Sequence, residues 1–431
     1  MPPESIVASP LWWDASRPPS LSVRAVPATC DVAIIGAGIA GLTAALTLAE
    51  AGRSVQVFDA QRAGAGAATH NAGIASAGLP IGFARLTARV GDEHARQLYQ
   101  EAHEAHQALL TFLTTAGIQC DYQSGGAVYA TPHSAQMDSL AREAQFCEQQ
   151  LGAEAYTMLG AELGNELGAE GYAGALVRSD AGTLQPAHLH AALLSLAMSA
   201  GAQIHGETPV TRLIPGVGKR KGQGAILQTM RGRTQAQDVI VTADGSVDKS
   251  DPWARRRVLP IPIRVISTEP LPGEVLSRLM PSGRVLIEAA RIRHVARPSP
   301  DGARLMFAGL CRFGGAATAS ATEAMRLRMV ATFPALETYS ISHSWSGIAG
   351  FHRDGMPKIY SHGNVHYVHG FGGLGLVLSQ WLANKMAWRL LEDERSATAF
   401  AEAGSGIWPL GSRKRWFLPT LTTWMGTREL Q

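Results

Sequence analysis

The hydrophobic pattern first breaks at "DVAIIGAGIAGLTAALTLAEAG", where no charged residue falls between Asp31 and Glu50. A β-branched burst (Asp31 to Ile35), glycines at 36, 38 and 41, and a helix-forming run from Leu42 predict strand, tight turn and helix rather than a membrane span. A second burst, "SVQVFDA", ends at Asp59 and completes a βαβ unit. Further along, "DEHARQLYQEAHEAHQALLTFLTTAG" (92–117) carries apolar residues at helical spacing through Leu98, Ala102, Ala105, Leu109 and Phe112, with His94, His103 and His106 assigned to the wet face. Helices are also predicted over 134–151, over 187–200 behind Pro186, and along "TEAMRLRMVATFPAL". Strands are expected at "GAVYAT", "AQIHG", "PVTRLI", "GAILQTM" and "DVIVTADG", with 259–270 and 284–313 forming a second sheet. "NVHYVHGFGGLGLVLSQWLANKMAWRLL" (364–391) repeats the order strand, glycine turn, long helix.

The first glycine motif has a specific physical reading. Gly36 permits the turn, Gly38 lets backbone approach a pyrophosphate, and Gly41 lets helix pack on strand. The pyrophosphate meets free amides at the helix start, among residues Gly36, Ala37, Gly38, Ile39, Ala40 and Gly41. Asp59, with Ala60 beside it, is placed to accept hydrogen bonds from ribose hydroxyls. Small residues then continue through "QRAGAGAATHNAGIASAGL" (61–79), which suggests backbone lying along a long flat ligand. A second helix start at Gly372, Gly373 and Leu374 would suit negative charge on a reduced flavin. Contact by both ends of the chain favours FAD over NAD.

Composition narrows the remaining possibilities. The 431 residues are 46% hydrophobic and 17% charged, enough for two or three packed units. A formal net charge of +3 gives no nucleic-acid footprint, and the runs at 218–222 and 255–257 are short solvated stretches. Cys30, Cys120, Cys147 and Cys311 are scattered without ligand-like spacing, which fits reduced thiols in the cytoplasm. Residues 1–28 form an irregular lead-in without a signal-peptide pattern, and Trp12 and Trp13 are expected to pack on the core without a functional part.

"AIIGAGIAGLTAALTLAEAGRSVQVFDA", "GAGAATHNAGI", "HSWSGIAGFHRDGMPKIY" and "YVHGFGGLGL", in that order, resemble the FAD-dependent amine and amino-acid oxidoreductases. "LWWDASRPP" and "RKRWFLPTL" bring the chain nearest to the gamma-glutamylputrescine oxidoreductase branch. The resemblance implies an α/β fold: a discontinuous Rossmann-like FAD-binding domain (29–90, 170–255, 340–395) with an inserted α+β substrate domain on an antiparallel sheet (91–169, 256–339). A tail would follow from 396 to 431. It implies that His70, Asn71, Ala72, Gly73 and Ile74 border the flavin and that Val210 touches the adenine side. Two departures stand out: Ala349 occupies the position where amino-acid oxidising members carry a carboxylate-binding arginine, with Arg353 nearest, and Leu374 stands where the branch often has histidine. No cysteine lies in "GFHRDG", so non-covalent FAD is expected.

The chemistry expected is oxidation of a CH–NH bond to an imine, the substrate being an amine or larger amino-group compound and the electron acceptor oxygen or a quinone. His70, His352 and His369 are the candidate proton acceptors. Metal binding by the five histidines at 343, 352, 362, 366 and 369 is not expected, because His366 and His369 sit at odd spacing on one strand with no carboxylate cluster near. Two alternatives remain, a flavin-dependent tailoring monooxygenase and a non-catalytic flavoprotein subunit.

Overall fold

A computed structural model describes residues 6–216, 224–290, 293–310, 319–401 and 406–408. Cys311, the run at 218–222 and the "RKRWFLPTL" segment lie outside these residues.

The opening βαβ unit forms as its pattern dictates: strand Thr29–Ile35, helix Ile39–Glu50, strand Val55–Phe58. Thr29–Ile35 lies at the centre of an eight-stranded sheet, parallel to Val55–Phe58 on one side and to Gly232–Val241 on the other. Gln203–His205 extends the parallel set beyond Val55–Phe58. Val365–His369 joins Gly232–Val241 in parallel and pairs antiparallel with Lys358–His362. Strands buried on both faces lack alternation, and all four residues of Val55–Phe58 are buried here. Helices Ile39–Glu50 and Gly375–Leu390 pack against each other within the same apolar cluster.

A second eight-stranded sheet runs in the order Ile341–Phe351, Leu259–Thr268, Leu305–Leu310, His294–Pro298, Val285–Glu288, Ala127–Thr131, Gly174–Arg178, Ala155–Leu159. It is antiparallel except where Val285–Glu288 meets Ala127–Thr131. Gly174–Arg178 and Ile341–Phe351, grouped by sequence with the FAD-binding segments, hydrogen-bond into this second sheet. Every residue of Gly174–Arg178 is buried, so periodicity carried no information about which sheet it joins. Helix Asp92–Thr115, grouped with the substrate domain, packs on Gly375–Leu390 instead, and Glu101 accepts the Trp381 indole N–H at 2.7 Å.

One expectation about a single side chain is corrected. His106 is buried rather than wet, which pushes its pKa down to about 4 through desolvation. Trp12, in the short helix Leu11–Asp14, is 2% exposed and reaches across the molecule to the segment around Asn71. No helix among the described residues is long and apolar enough to cross a membrane.

Candidate active site

A cavity of about 530 Å³ runs between the two sheets. Its wall takes residues from the first glycine turn, the strand end at Asp59, the 64–74 segment, the turn at 242–251, and the glycine corner at 372–375. The second sheet supplies the opposite side through Ile263, Val295, Ala308, Leu310, Ile348 and Ala349. Of the sequence-nominated residues, Gly36, Gly38, Ile39, Ala40, Asp59, Ala60, His70, Asn71, Ala72, Ile74, Val210, Gly372, Gly373 and Leu374 are on this wall. Ala37, Gly41 and Gly73 sit just behind it.

The three glycines of the first turn are present for different reasons. Gly36 has φ +110°, and a Cβ there would meet the Thr242 hydroxyl at 2.9 Å. A Cβ on Gly41 would lie 1.8 Å from the Gly36 carbonyl oxygen, so only glycine lets this helix approach its strand. Gly38 has ordinary φ (−85°), and its nearest obstacle would be Ala68 Cβ at 3.7 Å. Protein packing therefore does not require glycine at 38, and the position opens onto the cavity. Gly38 is also the N-cap of Ile39–Glu50 and makes no side-chain capping bond, which leaves first-turn amides available to an anion.

Asp59 accepts from the Ala37 amide at 2.8 Å and from the Gln61 amide at 2.9 Å. Burial raises its pKa, and these two bonds pull it back. The carboxylate thus braces the glycine turn while remaining on the cavity wall. His190, buried behind the turn, donates to the Ala37 carbonyl at 2.8 Å.

Asp244 is a site residue that sequence reasoning missed. It sits at φ +45° after strand Gly232–Val241, and its carboxylate accepts the amides of Gly350 and Gly370, both at 2.7 Å. One half-buried acid thereby ties the second sheet and the C-terminal glycine corner to the turn in "TADGS". Burial raises its pKa against the pull of those backbone bonds. Successive positive φ values at Gly370, Gly372 and Gly373 then turn the chain into helix Gly375–Leu390, whose N-cap Leu374 again lacks a side-chain cap.

The three candidate histidines separate. His70 lies on the wall, and its Nδ1 donates to the Gly66 carbonyl at 2.9 Å, because a carbonyl only accepts. That tautomer leaves a lone pair on Nε2. Desolvation lowers its pKa, so the neutral form is favoured. His352 and His369 are not on the wall. His352 Nδ1 lies 3.2 Å from the Arg257 carbonyl, and the imidazole fills the space beside Gly370, where a Cβ would lie 2.1 Å from it. His369 is fully buried, with Nδ1 3.2 Å from the Tyr360 hydroxyl. Both have depressed pKa values, His352 at about 4, with burial the largest cause. The sequence places both beside the glycine corner but does not say which side of it each ring takes.

Arg353 is exposed and off the wall, whereas Ala349 is on it. The cation that does reach the wall is Arg293, also unforeseen. Strand His294–Pro298 puts Val295 on the cavity side with Arg293 just before it, while His294 Nδ1 lies 2.7 Å from Glu288 and Arg297 is buried behind the wall. Among the described residues no group of three or more His, Cys, Asp or Glu is arranged to hold a metal.

A profile of FAD dependent oxidoreductases matches residues 31–389. The chain belongs to this family. It is an FAD-dependent enzyme, and the glycine turn, the open space at Gly38 and the two uncapped helix starts fit that cofactor. A probable oxidoreductase OrdL from Haemophilus influenzae is 28% identical over 86% of this chain and 85% of its own length. Gamma-glutamylputrescine oxidoreductase from Escherichia coli is 26% identical over 90% of this chain and 89% of its own. Among solved structures, glycine oxidase from Geobacillus kaustophilus superposes with a TM-score of 0.69 at 21% identity, covering 85% of this chain and 96% of its own. That likeness confirms the α/β architecture with its FAD-binding Rossmann-like part.

Proposed function

We propose that the enzyme oxidises a CH–NH bond of an amine or larger amino-group compound to an imine, which water then hydrolyses. FAD supplies the acceptor for the hydride; the chain supplies orientation, dryness and a place for one proton. The observation that carries this reading is the make-up of the wall facing the 64–74 segment. Val295, Ala308, Leu310, Ile348, Ala349 and Leu374 give it an apolar lining, and His70 is the nominated proton acceptor. An amine must lose its proton before its C–H bond is activated, and a neutral His70 with a free Nε2 lone pair suits that task. The name of the Escherichia coli relative supports an amine substrate.

In this reading Gly38, Ile39 and Ala40 meet the pyrophosphate and Asp59 the ribose. Val210 borders the adenine, and the helix start at Gly373–Leu374 stabilises reduced flavin. FAD is held without a covalent bond, the acceptor is oxygen or a quinone, and the enzyme acts in the cytoplasm, in keeping with free buried thiols at Cys30, Cys120 and Cys147. Ala349 removes the usual carboxylate anchor, so glycine and simple D-amino acids are poor substrates. Anaerobic mixing of the yellow holoenzyme with a panel of amines and amino acids tests the reading: amines should bleach the flavin, and bleaching by none of them would refute it.

A further inference from the structure

Arg293 is the one arginine or lysine among the described residues of the cavity wall. Its Nε donates to the Ala290 carbonyl at 3.1 Å, Nη1 to Leu79 at 3.3 Å and Nη2 to Pro80 at 2.6 Å. A guanidinium has five N–H donors, so these three bonds leave two uncommitted. Among the described residues no carboxylate forms an ion pair with it. The contrast with other embedded arginines is direct. Arg178 pairs with Glu143 and Asp180, and Arg284 with Glu166. Arg297 also lacks an acid, but it is 1% exposed and gives its hydrogen bonds to the Gly73, Leu184 and Pro298 carbonyls behind the wall. Among the described residues Arg293 alone combines the lack of an ion pair with access to the cavity, and Glu143, the acid whose charge acts on it, is already paired with Arg178. An arginine charge held out of bulk water without an anion is costly, and an anionic ligand group would relieve that cost.

Its position in the sheet sets the kind of ligand. Gly309 pairs with His294 on one side and Arg264 on the other, and Arg264 pairs with Ser346. Arg293, one residue before His294, therefore falls level with Gly347 but three strands away from it, about 14 Å at ordinary strand spacing. Gly347 and Ala349 lie on the side that touches His70, where a Cβ on Gly347 would sit 3.1 Å from His70 Cβ. The Arg293 backbone is thus three strands away from the Gly347–Ala349 edge, where the resemblance puts the anchor for a carboxylate adjacent to the reacting carbon.

We infer that Arg293 anchors a substrate carboxylate standing several bonds from the oxidised C–N group, so that the enzyme takes ω-amino or N-alkylated amino carboxylates. This deepens the amine-oxidation reading and rests on it for the identity of the reacting bond.

The test uses the FAD-loaded enzyme and two readouts. Perturbation of the flavin spectrum by unreactive butanoate and hexanoate reports carboxylate binding without turnover. Anaerobic reduction by a series of ω-amino carboxylates and their primary amides reports selectivity. Carboxylates should bind, and amides should react with at least tenfold weaker affinity. Arg293→Met should weaken the carboxylates about 10- to 100-fold with the amides changed less than about twofold, and Arg293→Lys should fall between. Equal affinity of wild-type enzyme for acid and amide would overturn the inference. So would an Arg293→Met enzyme that weakens both alike, since that is what a brace for Leu79 and Pro80 would do. If Arg293→Met does not retain FAD, Arg293→Lys and the wild-type acid–amide comparison decide. Carboxylates that bind through Arg293 while no amine bleaches the flavin would leave the anchor standing and remove the amine reading; bleaching without acid preference would do the reverse.

Discussion

The indole N–H of Trp12 donates to the carbonyl of Asn71 at 3.1 Å, joining a lead-in helix to the segment that borders the cavity. Around it, the Trp13 indole donates to the Thr69 hydroxyl at 3.0 Å and meets the His70 ring edge-on at 5.2 Å. From the other side Trp345 donates to the His70 carbonyl at 3.3 Å. Three tryptophans from two distant parts of the chain thus hold residues 69–71 in one conformation. A loop of small residues has little packing of its own, so its rigidity is borrowed from these indoles.

Trp12→Phe keeps most of the ring and removes the donor. Loss of one hydrogen bond of about 1 kcal/mol should raise the FAD dissociation constant roughly fivefold. Flavin fluorescence released on dilution measures it, and an unchanged dissociation constant would separate the lead-in from cofactor binding.

The glycine turn offers a sharper contrast. Gly41→Ala forces a Cβ into the Gly36 carbonyl and should prevent folding or cost several kcal/mol. Gly38→Ala has room within the protein and an ordinary φ, so its apoprotein should melt near the wild-type temperature yet bind FAD at least tenfold more weakly. Differential scanning fluorimetry with and without FAD distinguishes the two; an alanine at 38 that binds FAD normally would place the pyrophosphate elsewhere.

Asp244→Ala leaves the Gly350 and Gly370 amides without their acceptor. Each buried unsatisfied donor costs about 1–3 kcal/mol. Chemical denaturation should show a loss of roughly 2–5 kcal/mol, with FAD affinity falling alongside because the glycine corner is no longer tied to the turn.

These contrasts also show what was legible in the sequence. The βαβ unit could be read because glycines at 36, 38 and 41 interrupt a β-branched strand and an alanine-leucine helix at fixed offsets. Membership of Gly174–Arg178 in the second sheet could not, since a fully buried strand has no polar side to orient it. His352 and His369 were found as neighbours of the glycine corner, but a ring's direction depends on what packs against it. Arg293 and Asp244 gain their meaning from segments far away in the chain, Leu79 and Pro80 for one, Gly350 and Gly370 for the other.

Acid stability follows from the buried imidazoles. In the folded protein His106 and His352 each titrate near 4, against an ordinary value of 6.5 when unfolded. Between those values the unfolded chain binds more protons, so stability is full above about 6.5 and declines as pH falls toward 4. His106→Phe, away from the cavity, should flatten part of that decline in melting temperature measured across the range. A wild-type profile flat from 7 to 4 would mean these rings are not desolvated.

Anaerobic stopped-flow mixing of the FAD-loaded enzyme with amino compounds tests the central claim most directly. Reduction of the flavin by an amine, with His70→Asn slowing it about 10²- to 10⁴-fold while FAD stays bound, is the expected result. A flavin that no amine reduces, or one that only a reduced nicotinamide bleaches, would contradict it.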